Sequence, residues 1–351
     1  MPMKFIADHP APRVIFGIGA LDQLADEVKR AGIHRAVVVS TPDRRFVDDV
    51  TRRLGGLSSG VYANAVMHVP VETAREARSY VRELGADGCV AIGGGSSIGL
   101  AKAIALEIEI PIVAIPTTYA GSEMTSIYGL SEAGVKRTGR DRRVLPRTVI
   151  YDPALTLPLP PRVAGPSGMN ALAHCVEALY AQDANPVITL VAAEGIRALS
   201  RSLPAVVDNP ANLEARTDAL YGAWLGGTVL GAVGMAIHHK LCHTLGGSFN
   251  LPHAEVHSVI LPHAAAFNRE AASAAMGTAA AALGTSDAAG GLFDLAVRIG
   301  APTSLKAIGM PEDGLDRAAT LATTNPYYNP RPVDYAGVRT LLDNAFHGRR
   351  P

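Results

Sequence analysis

The chain has 351 residues, which at about 150 residues per domain is enough for two domains with a sizeable core. Its 32 lysine and arginine residues balance its 32 aspartate and glutamate residues, so no net charge attracts it to nucleic acid or to an anionic membrane, and we predict neither as a partner. Hydrophobic residues make up 48% of the chain and charged residues 18%, which excludes a disordered protein and indicates a large interior or a buried subunit contact.

The cysteines and the N-terminal segment indicate the compartment. Cys89, Cys175 and Cys242 lie far apart without CxxC spacing, which excludes a disulfide framework and a cysteine zinc site and favours a reducing compartment. The segment MPMKFIADHPAPRVIFG lacks the unbroken apolar stretch of a signal peptide, and nowhere do about 18 apolar residues follow one another. We therefore expect a cytoplasmic protein.

The first part of the chain alternates short β-branched runs with amphipathic stretches. The runs at 35–40, 88–92 and 111–115 are predicted strands, and each follows a stretch with helical periodicity. Such alternation is typical of a parallel sheet flanked by helices. Beyond the segment TVIYDP the composition changes to long helical segments rich in Ala, Leu and His. We predict an α/β nucleotide-binding domain over residues 1–155 and an all-α domain over residues 156–351.

The loop after the first of these strands, STPDRR, has Ser40 and Thr41 where the adenosine ribose of a dinucleotide often lies. No acid ends the strand to disfavour a 2'-phosphate, and Arg44 and Arg45 follow closely. Both NADH and NADPH therefore stay open as cofactors, and solvated surface arginines explain the same pair equally well.

Two further loops suggest phosphate binding. In IGGGSSIGLAK the glycines let the backbone approach an anion, and the amides after them open a helix N-terminus. An ordinary strand-to-helix turn is the alternative. A second loop, PTTYAGS, follows the next strand, and open α/β sheets bind ligands at the carboxyl ends of adjacent strands. The predicted cofactor-binding residues of these loops are Gly94, Gly95, Ser96, Ser97, Thr117, Thr118 and Ser122.

Five of the 11 histidines fall within twenty residues, at positions 238, 239, 243, 253 and 257. His239 and His243 are four residues apart on one helical face, and His253 and His257 repeat that spacing after a turn. Imidazole serves both as a metal ligand and as a proton donor near neutral pH, so this clustering indicates a site. The earlier segment SGMNALAHCVE has an asparagine and a histidine at the same spacing, which alone is a weak signal.

The chain resembles the iron-containing alcohol dehydrogenase superfamily over nearly its whole length. The resemblance lies in GGGSSIGLAK, IPTTYAGSEMTS, GMNALAHCVEAL, HHKLCHTLGG and LPHAEVHS, in this order. It implies the fold shared with dehydroquinate synthase and a homodimer. In metal-using relatives an aspartate and three histidines bind a divalent ion, and the matching positions here are Asn170, His174, His239 and His253. Because an amide is a far poorer ligand for Fe(II) or Zn(II) than a carboxylate, we expect no metal requirement.

Within the superfamily, GLAK and HHKLCHTLGG resemble the reductase branch. That resemblance implies reduction of the carbon–carbon double bond of maleylacetate, a small dicarboxylate, to 3-oxoadipate by NADH or NADPH during degradation of aromatic compounds. Hydride addition in conjugation with the ketone creates an enolate, so the site must stabilise an oxyanion and deliver a proton.

The residues implied for this chemistry come from the histidine segment and from two other motifs. The predicted catalytic residues are His243, His239, His253, His174, Lys240, Asn170 and Tyr119. We expect His243 to be the acid or proton relay, the other three histidines to donate hydrogen bonds to the oxyanion or a carboxylate, and Lys240 to face a carboxylate. Two alternatives stay open: a metal-dependent alcohol or polyol dehydrogenase, and a non-catalytic nucleotide-binding protein.

Overall fold

The computed structural model describes residues 5–132 and 135–351, with 135 and 136 described by their backbone alone. Contacts divide the chain into two compact units. The first unit is Pro10–Leu159, and the second is Pro160–Pro351 with the N-terminal residues up to His9. Each unit contains a hydrophobic core cluster built from its own residues.

A parallel sheet forms the centre of the first unit. Its strands in the described chain are β1 Arg13–Phe16, β2 Ala36–Val39, β3 Ser58–Tyr62, β4 Gly88–Gly93, β5 Ile112–Pro116 and β8 Thr148–Tyr151. They lie in the order β1, β8, β5, β4, β2, β3, and every neighbouring pair is parallel. The three predicted strands are β2, β4 and β5, whose residues are almost wholly buried, so the α/β prediction is confirmed.

Helices connect these strands. They are α1 Leu24–Arg30, α2 Val47–Leu54, α3 Val71–Leu84 and α4 Gly95–Ile108. The repeat of Ala74, Ala77 and Val81 gives α3 a buried face, and Gly85, with a φ of +59°, ends it. Between β5 and β8 the chain forms an antiparallel hairpin of β6 Ile127–Glu132 and β7 Val135–Arg140.

The strand order locates a ligand-binding edge. From β2 the chain proceeds to β3 on one side of the sheet, whereas from β4 it proceeds through α4 to β5 on the other side. The order therefore reverses between β2 and β4. In open α/β sheets the crevice at the carboxyl ends of two such strands is where ligands bind.

The second unit consists of helices in its described residues. They are α5 Pro161–Ala178, α6 Pro186–Asp208, α7 Leu213–Ala232, α8 Ile237–Phe249, α9 His253–Asn268, α10 Ser273–Leu283, α11 Ala288–Arg298, α12 Leu315–Thr323 and α13 Tyr335–His347. Helix α5 packs against α6, α7 and α9 and is buried along nearly its whole length. Polar side chains on α5 therefore need polar partners.

Among the described helices, no single one is long and apolar enough to span a membrane, and α7 with α8 meets that requirement only as a pair bent by 96°.

Candidate active site

The loops that follow β2, β4 and β5 are the predicted cofactor-binding loops of the first unit. Because these strands are neighbours in the sheet, Ser40, Gly94 and Thr117 follow them at the same edge. The Thr117 amide donates a hydrogen bond of 3.0 Å to the Gly93 carbonyl oxygen, which ties the last two loops together. The predicted cofactor-binding loops thus lie side by side.

The glycine loop leaves open space where an anion can approach the backbone. Gly93 has a φ of +138°, which L side chains rarely adopt. A Cβ on Gly94 would lie 3.0 Å from the Thr118 side chain. Gly95 is exposed, and the nearest atom to a Cβ on it would be the Ala120 Cβ at 4.0 Å. The protein itself therefore does not require a glycine at 95, whereas a closely bound ligand would.

Helix α4 begins at Gly95, and no side chain caps its first turn. The first-turn amides, including those of Ser96 and Ser97, have no intrahelical acceptor. The Ser97 hydroxyl is fully buried and has no hydrogen-bond partner within the described residues. Uncapped amides, the positive end of a helix dipole and a buried hydroxyl fit the pyrophosphate of a dinucleotide. Thr118 and Ser122 are half-buried in the adjoining loop.

The loop after β2 contains a carboxylate that the sequence pattern did not single out. The Ser40 hydroxyl donates to the Thr41 carbonyl oxygen at 3.1 Å, and the Thr41 hydroxyl donates to Asp43 Oδ1 at 2.7 Å. A carboxylate held there can accept hydrogen bonds from ribose hydroxyls, as NADH offers, whereas the exposed Arg44 and Arg45 suit a 2'-phosphate. The loop is compatible with both cofactors.

The histidines of the second unit form one cluster. Helix α5 contributes His174, α8 contributes three rings and α9 contributes two. The neighbouring ring centroids lie between 4.3 and 6.4 Å apart. The members are His174, His238, His239, His243, His253 and His257. The structure therefore brings together all four predicted catalytic histidines and adds two that were noticed but given no role.

Helix α5 carries three polar residues in its second half, of which His174 belongs to the cluster and Glu177 contacts the start of α8. Asn170, His174 and Glu177 follow at i, i+4 and i+7, which places them on one helical face, and all three are buried. The Glu177 carboxylate accepts hydrogen bonds from the amides of Ala236 at 3.1 Å and His238 at 2.9 Å. It thus caps α8, and the positive end of the helix dipole stabilises its charge.

Glu177 also orients the His239 ring. Its Oε2 lies 2.6 Å from His239 Nδ1, which must carry the proton because a carboxylate only accepts. His238 Nε2 lies 3.2 Å from the His257 carbonyl oxygen and donates to it, so His238 Nδ1 is an acceptor, 3.2 Å from His239 Nδ1. The same proton on His239 satisfies both contacts, and its Nε2 then carries a lone pair.

Burial keeps these rings neutral. It lowers the pKa of His238 and of His239 to about 3, and the neighbouring rings add to the effect. It also lowers the pKa of His174 and of His257, which are equally buried. A neutral His239 with its proton on Nδ1 presents Nε2 as a hydrogen-bond acceptor, in contrast to the donor role expected from the sequence.

Several nitrogens of the cluster have no hydrogen-bond partner in the part of the chain that the structure describes. They are His174 Nδ1, His239 Nε2 and both ring nitrogens of His257. Buried polar atoms normally find partners, so these nitrogens indicate room for a polar ligand or for water. His243 is exposed and His253 is half-buried, so protons can reach the cluster from solvent on their side.

The other predicted catalytic residues lie in different surroundings. Lys240 is half-buried, and its Nζ lies 5.6 Å from the centre of the Tyr327 ring. Tyr119 belongs to the first unit and is fully buried there. It lies in the loop after β5, which also contains Thr117 and Thr118.

Sequence reasoning missed a buried polar network behind Glu177. The Tyr180 hydroxyl donates to Glu177 Oε1 at 3.4 Å, and burial raises the pKa of this tyrosine. Asn268 and Asn329 exchange two amide hydrogen bonds of 3.0 and 2.7 Å. The available signal was Glu177 itself, because a carboxylate three residues after His174 on a mostly buried helix needs a partner.

Comparisons with known proteins identify the family. The family model for iron-containing alcohol dehydrogenase matches residues 11–153, and the C-terminal model of the Fe-containing alcohol dehydrogenase family matches residues 165–346. The chain belongs to the iron-containing alcohol dehydrogenase family.

Individual relatives match over the full length. The chain is 59% identical over 348 residues to maleylacetate reductase from Burkholderia cepacia and 54% identical over 350 residues to that from Delftia acidovorans, with 99% of this chain and of each relative covered. The crystal structure of maleylacetate reductase from Agrobacterium tumefaciens is 50% identical, with a TM-score of 0.95 over 99% of this chain and 100% of that chain.

The donor set differs at one position from the divalent-ion site implied by the family resemblance. Asn170 offers a neutral amide where a carboxylate would neutralise the ion. Among the described residues, one group of three His, Cys, Asp or Glu side chains has all its donor atoms within 4.8 Å: His238, His239 and His257. Only His239 belongs to both sets.

Proposed function

We propose that this chain catalyses reduction of the carbon–carbon double bond of maleylacetate to 3-oxoadipate by NADH or NADPH, in the degradation of aromatic compounds. The observation that carries the proposal is a buried imidazole cluster with unpartnered nitrogens, in a chain that matches maleylacetate reductases along its whole length. The two units would then be a nucleotide-binding domain and a catalytic helical domain.

The first unit binds the cofactor in this proposal. The amides that open α4 hold the pyrophosphate, with Ser97, Thr118 and Ser122 as hydroxyl partners, and the loop of Ser40 and Thr41 holds the ribose. When bound, the reduced nicotinamide supplies a hydride to the substrate alkene.

The histidine cluster delivers the proton in this proposal. After hydride transfer the negative charge lies on the ketone oxygen, and one proton must reach the adjacent carbon to complete the reduction. His243 and His253, which reach solvent, relay that proton. His239, held by Glu177, accepts a hydrogen bond at Nε2 and so fixes a protonated partner, either the substrate or a neighbouring ring.

Charge recognition and assembly complete the proposal. Lys240 attracts a substrate carboxylate, because it is a cation beside the cluster with no ion pair within the described residues. The enzyme works without a bound metal, since Asn170 replaces the carboxylate of the family's ion site. We also propose that it is a homodimer, as the resemblance implies, and that it is cytoplasmic, as its widely separated cysteines favour.

A spectrophotometric assay tests the function. Purified protein is mixed with NADH or NADPH and with maleylacetate, or with a panel of aldehydes, each with and without a strong chelator. We expect cofactor oxidation with maleylacetate, one 3-oxoadipate formed per cofactor, and no loss of rate on chelation. Turnover of aldehydes alone, abolished by chelator and restored by iron, would support the metal-dependent alcohol dehydrogenase instead. Indifference to both dinucleotides would contradict every redox function.

A further inference from the structure

Lys102 is a buried cation that the proposed chemistry does not use. It lies on α4, seven positions after Gly95 where the helix begins, and its side chain is fully buried. Its ammonium donates hydrogen bonds to the carbonyl oxygens of Ser122 at 2.6 Å, Thr125 at 2.7 Å and Ile127 at 2.7 Å. A fourth oxygen, the Thr125 hydroxyl, lies at 3.0 Å.

Burying the Lys102 ammonium costs free energy of folding, because the charge loses its hydration. Burial lowers the pKa of Lys102 to about 7, with the charge of Glu123 acting in the opposite direction. Lys102 makes no ion pair in the described chain, and the buried carboxyl of Glu123 is instead bonded by the Tyr151 hydroxyl at 2.8 Å. An apolar side chain of similar size would avoid the desolvation of a charge. A buried cation whose hydrogen-bond acceptors in the described chain are three carbonyls and one hydroxyl therefore indicates a task beyond packing.

The four oxygens belong to one segment. Ser122 to Ile127 is the end of the loop that leaves β5 and leads into β6. The same loop begins with Thr117 and Thr118, which lie against the glycine loop. The Thr125 hydroxyl also donates to the Ser122 carbonyl oxygen at 3.1 Å, so the segment is folded around the ammonium. Without the cation, the carbonyl oxygens of Thr125 and Ile127 would lose this donor, while that of Ser122 would keep the amide and the hydroxyl of Thr125.

We propose that Lys102 is a positioning residue for the cofactor: its ammonium fixes the loop after β5 to the helix that the glycine loop opens. The spacing between the hydroxyls of that loop and the amides of α4 is then set before the pyrophosphate arrives, which lowers the ordering cost of binding. The inference rests on the proposed function, because it concerns the same nucleotide site.

The test replaces Lys102 with methionine, which keeps the unbranched stem and removes the charge. Lys29→Met, at an exposed position of α1, is the matched control. Titration of each folded variant with NADH and with NADPH gives the dissociation constants, and steady-state kinetics gives kcat and both KM values. For Lys102→Met we expect the dissociation constant and KM of the cofactor to rise about tenfold or more, because buried charged hydrogen bonds are lost. We expect kcat at saturating cofactor and the KM of maleylacetate to change less than about threefold.

Rescue and a milder variant keep the proposal open to contradiction. Lys102→Arg, which retains a cation with several donors, should restore part of the affinity. If Lys102→Met does not fold, Thr125→Val removes one hydroxyl from the cluster and should still raise the cofactor dissociation constant by about two- to threefold. Unchanged cofactor affinity in folded Lys102→Met, or in Thr125→Val when the first variant does not fold, overturns the inference and leaves the proposed function intact. A wild-type chain that binds neither dinucleotide overturns both.

Discussion

Glu177 caps helix α8 and orients a histidine ring of the cluster. Its carboxylate is fully buried, yet it accepts amide hydrogen bonds at the start of α8 and the Nδ1 proton of His239. Burial raises the pKa of Glu177, and the amide hydrogen bonds act in the opposite direction. Because an unpaired buried carboxylate is costly, the histidine ring and the helix end are held in one arrangement.

Replacing Glu177 with glutamine tests this role. The amide keeps the shape but loses the charge, and its NH₂ group turns a donor toward either the α8 amides or His239. We expect kcat to fall by about 10- to 100-fold, as when the orienting partner of a functional histidine is removed. The cofactor dissociation constant should stay within about twofold, since the nucleotide loops belong to the first unit. Glu270→Gln, at an exposed position of the second unit, is the control, and an unchanged kcat in Glu177→Gln would assign this carboxylate to stability alone.

What the sequence could predict at this scale follows from spacing along the chain. His239 with His243, and His253 with His257, share helical faces because they are four residues apart. The contact of Glu177 with His239 spans 62 residues and depends on how α5 meets α8, which periodicity does not encode. The proton position on His239 depends in turn on that contact and on His238, so its acceptor role could not be predicted.

At the scale of the elements, the glycine loop that opens α4 contains both a glycine that the fold requires and a glycine that a ligand would require. Its glycines differ in what surrounds them: a Cβ on Gly94 would press on Thr118 at 3.0 Å, while the nearest atom to one on Gly95 would be the Ala120 Cβ at 4.0 Å. A sequence shows three equivalent glycines in a row, and only the structure separates the one that the fold needs from the one that a ligand needs.

Gly95→Ala tests whether a bound pyrophosphate requires the glycine at this position. Alanine at the first position of α4 favours the helix, so we expect the free energy of unfolding to stay equal or to rise by about 0.5 kcal/mol. We expect the dissociation constant of NADH or NADPH to rise about tenfold, because the methyl group lies where the pyrophosphate approaches the backbone. Gly94→Ala is the comparison, and it should lower stability as well as affinity because of Thr118. Wild-type affinity in Gly95→Ala would mean that the phosphate binds elsewhere.

The sheet itself was predictable where strands are buried on both faces. The segments of β2, β4 and β5 are unbroken apolar runs between helical stretches, which is how central parallel strands look in sequence. The hairpin of β6 and β7 was not predicted. Its residues are half-buried or exposed where described, and several are charged, so the segment resembles a solvated loop.

For the molecule as a whole, the buried imidazoles make the second unit sensitive to acid. Besides the cluster, His263 on α9 is 4% exposed, its Nε2 lacks a hydrogen-bond partner in the described chain, and burial lowers its pKa to about 4. The pKa values of four cluster histidines are lowered by the same cause. All five are therefore neutral in the folded state at pH values where an unfolded chain would already be protonated.

The sign of the pH dependence follows from that difference. The unfolded chain takes up a proton at each of these histidines as the pH falls below about 6.5, while the folded chain does so only near the lowered pKa, so the free energy of unfolding falls with pH in that window. For His263 alone the loss between pH 6.5 and 4 amounts to about 3 kcal/mol. We expect urea unfolding, measured by circular dichroism at several pH values from 7.5 to 4.5, to show this decline.

His263→Leu isolates one contribution to the decline. It removes one group that the unfolded chain protonates, so its free energy of unfolding should fall less steeply with pH, by up to about 1.4 kcal/mol per pH unit, whatever its stability at pH 7.5. His34→Gln, which removes an exposed imidazole from the first unit, is the matched control. A slope in His263→Leu equal to that of the wild type would mean that His263 is protonated at the same pH in both states, and burial would then not be what keeps the imidazoles of this helix neutral.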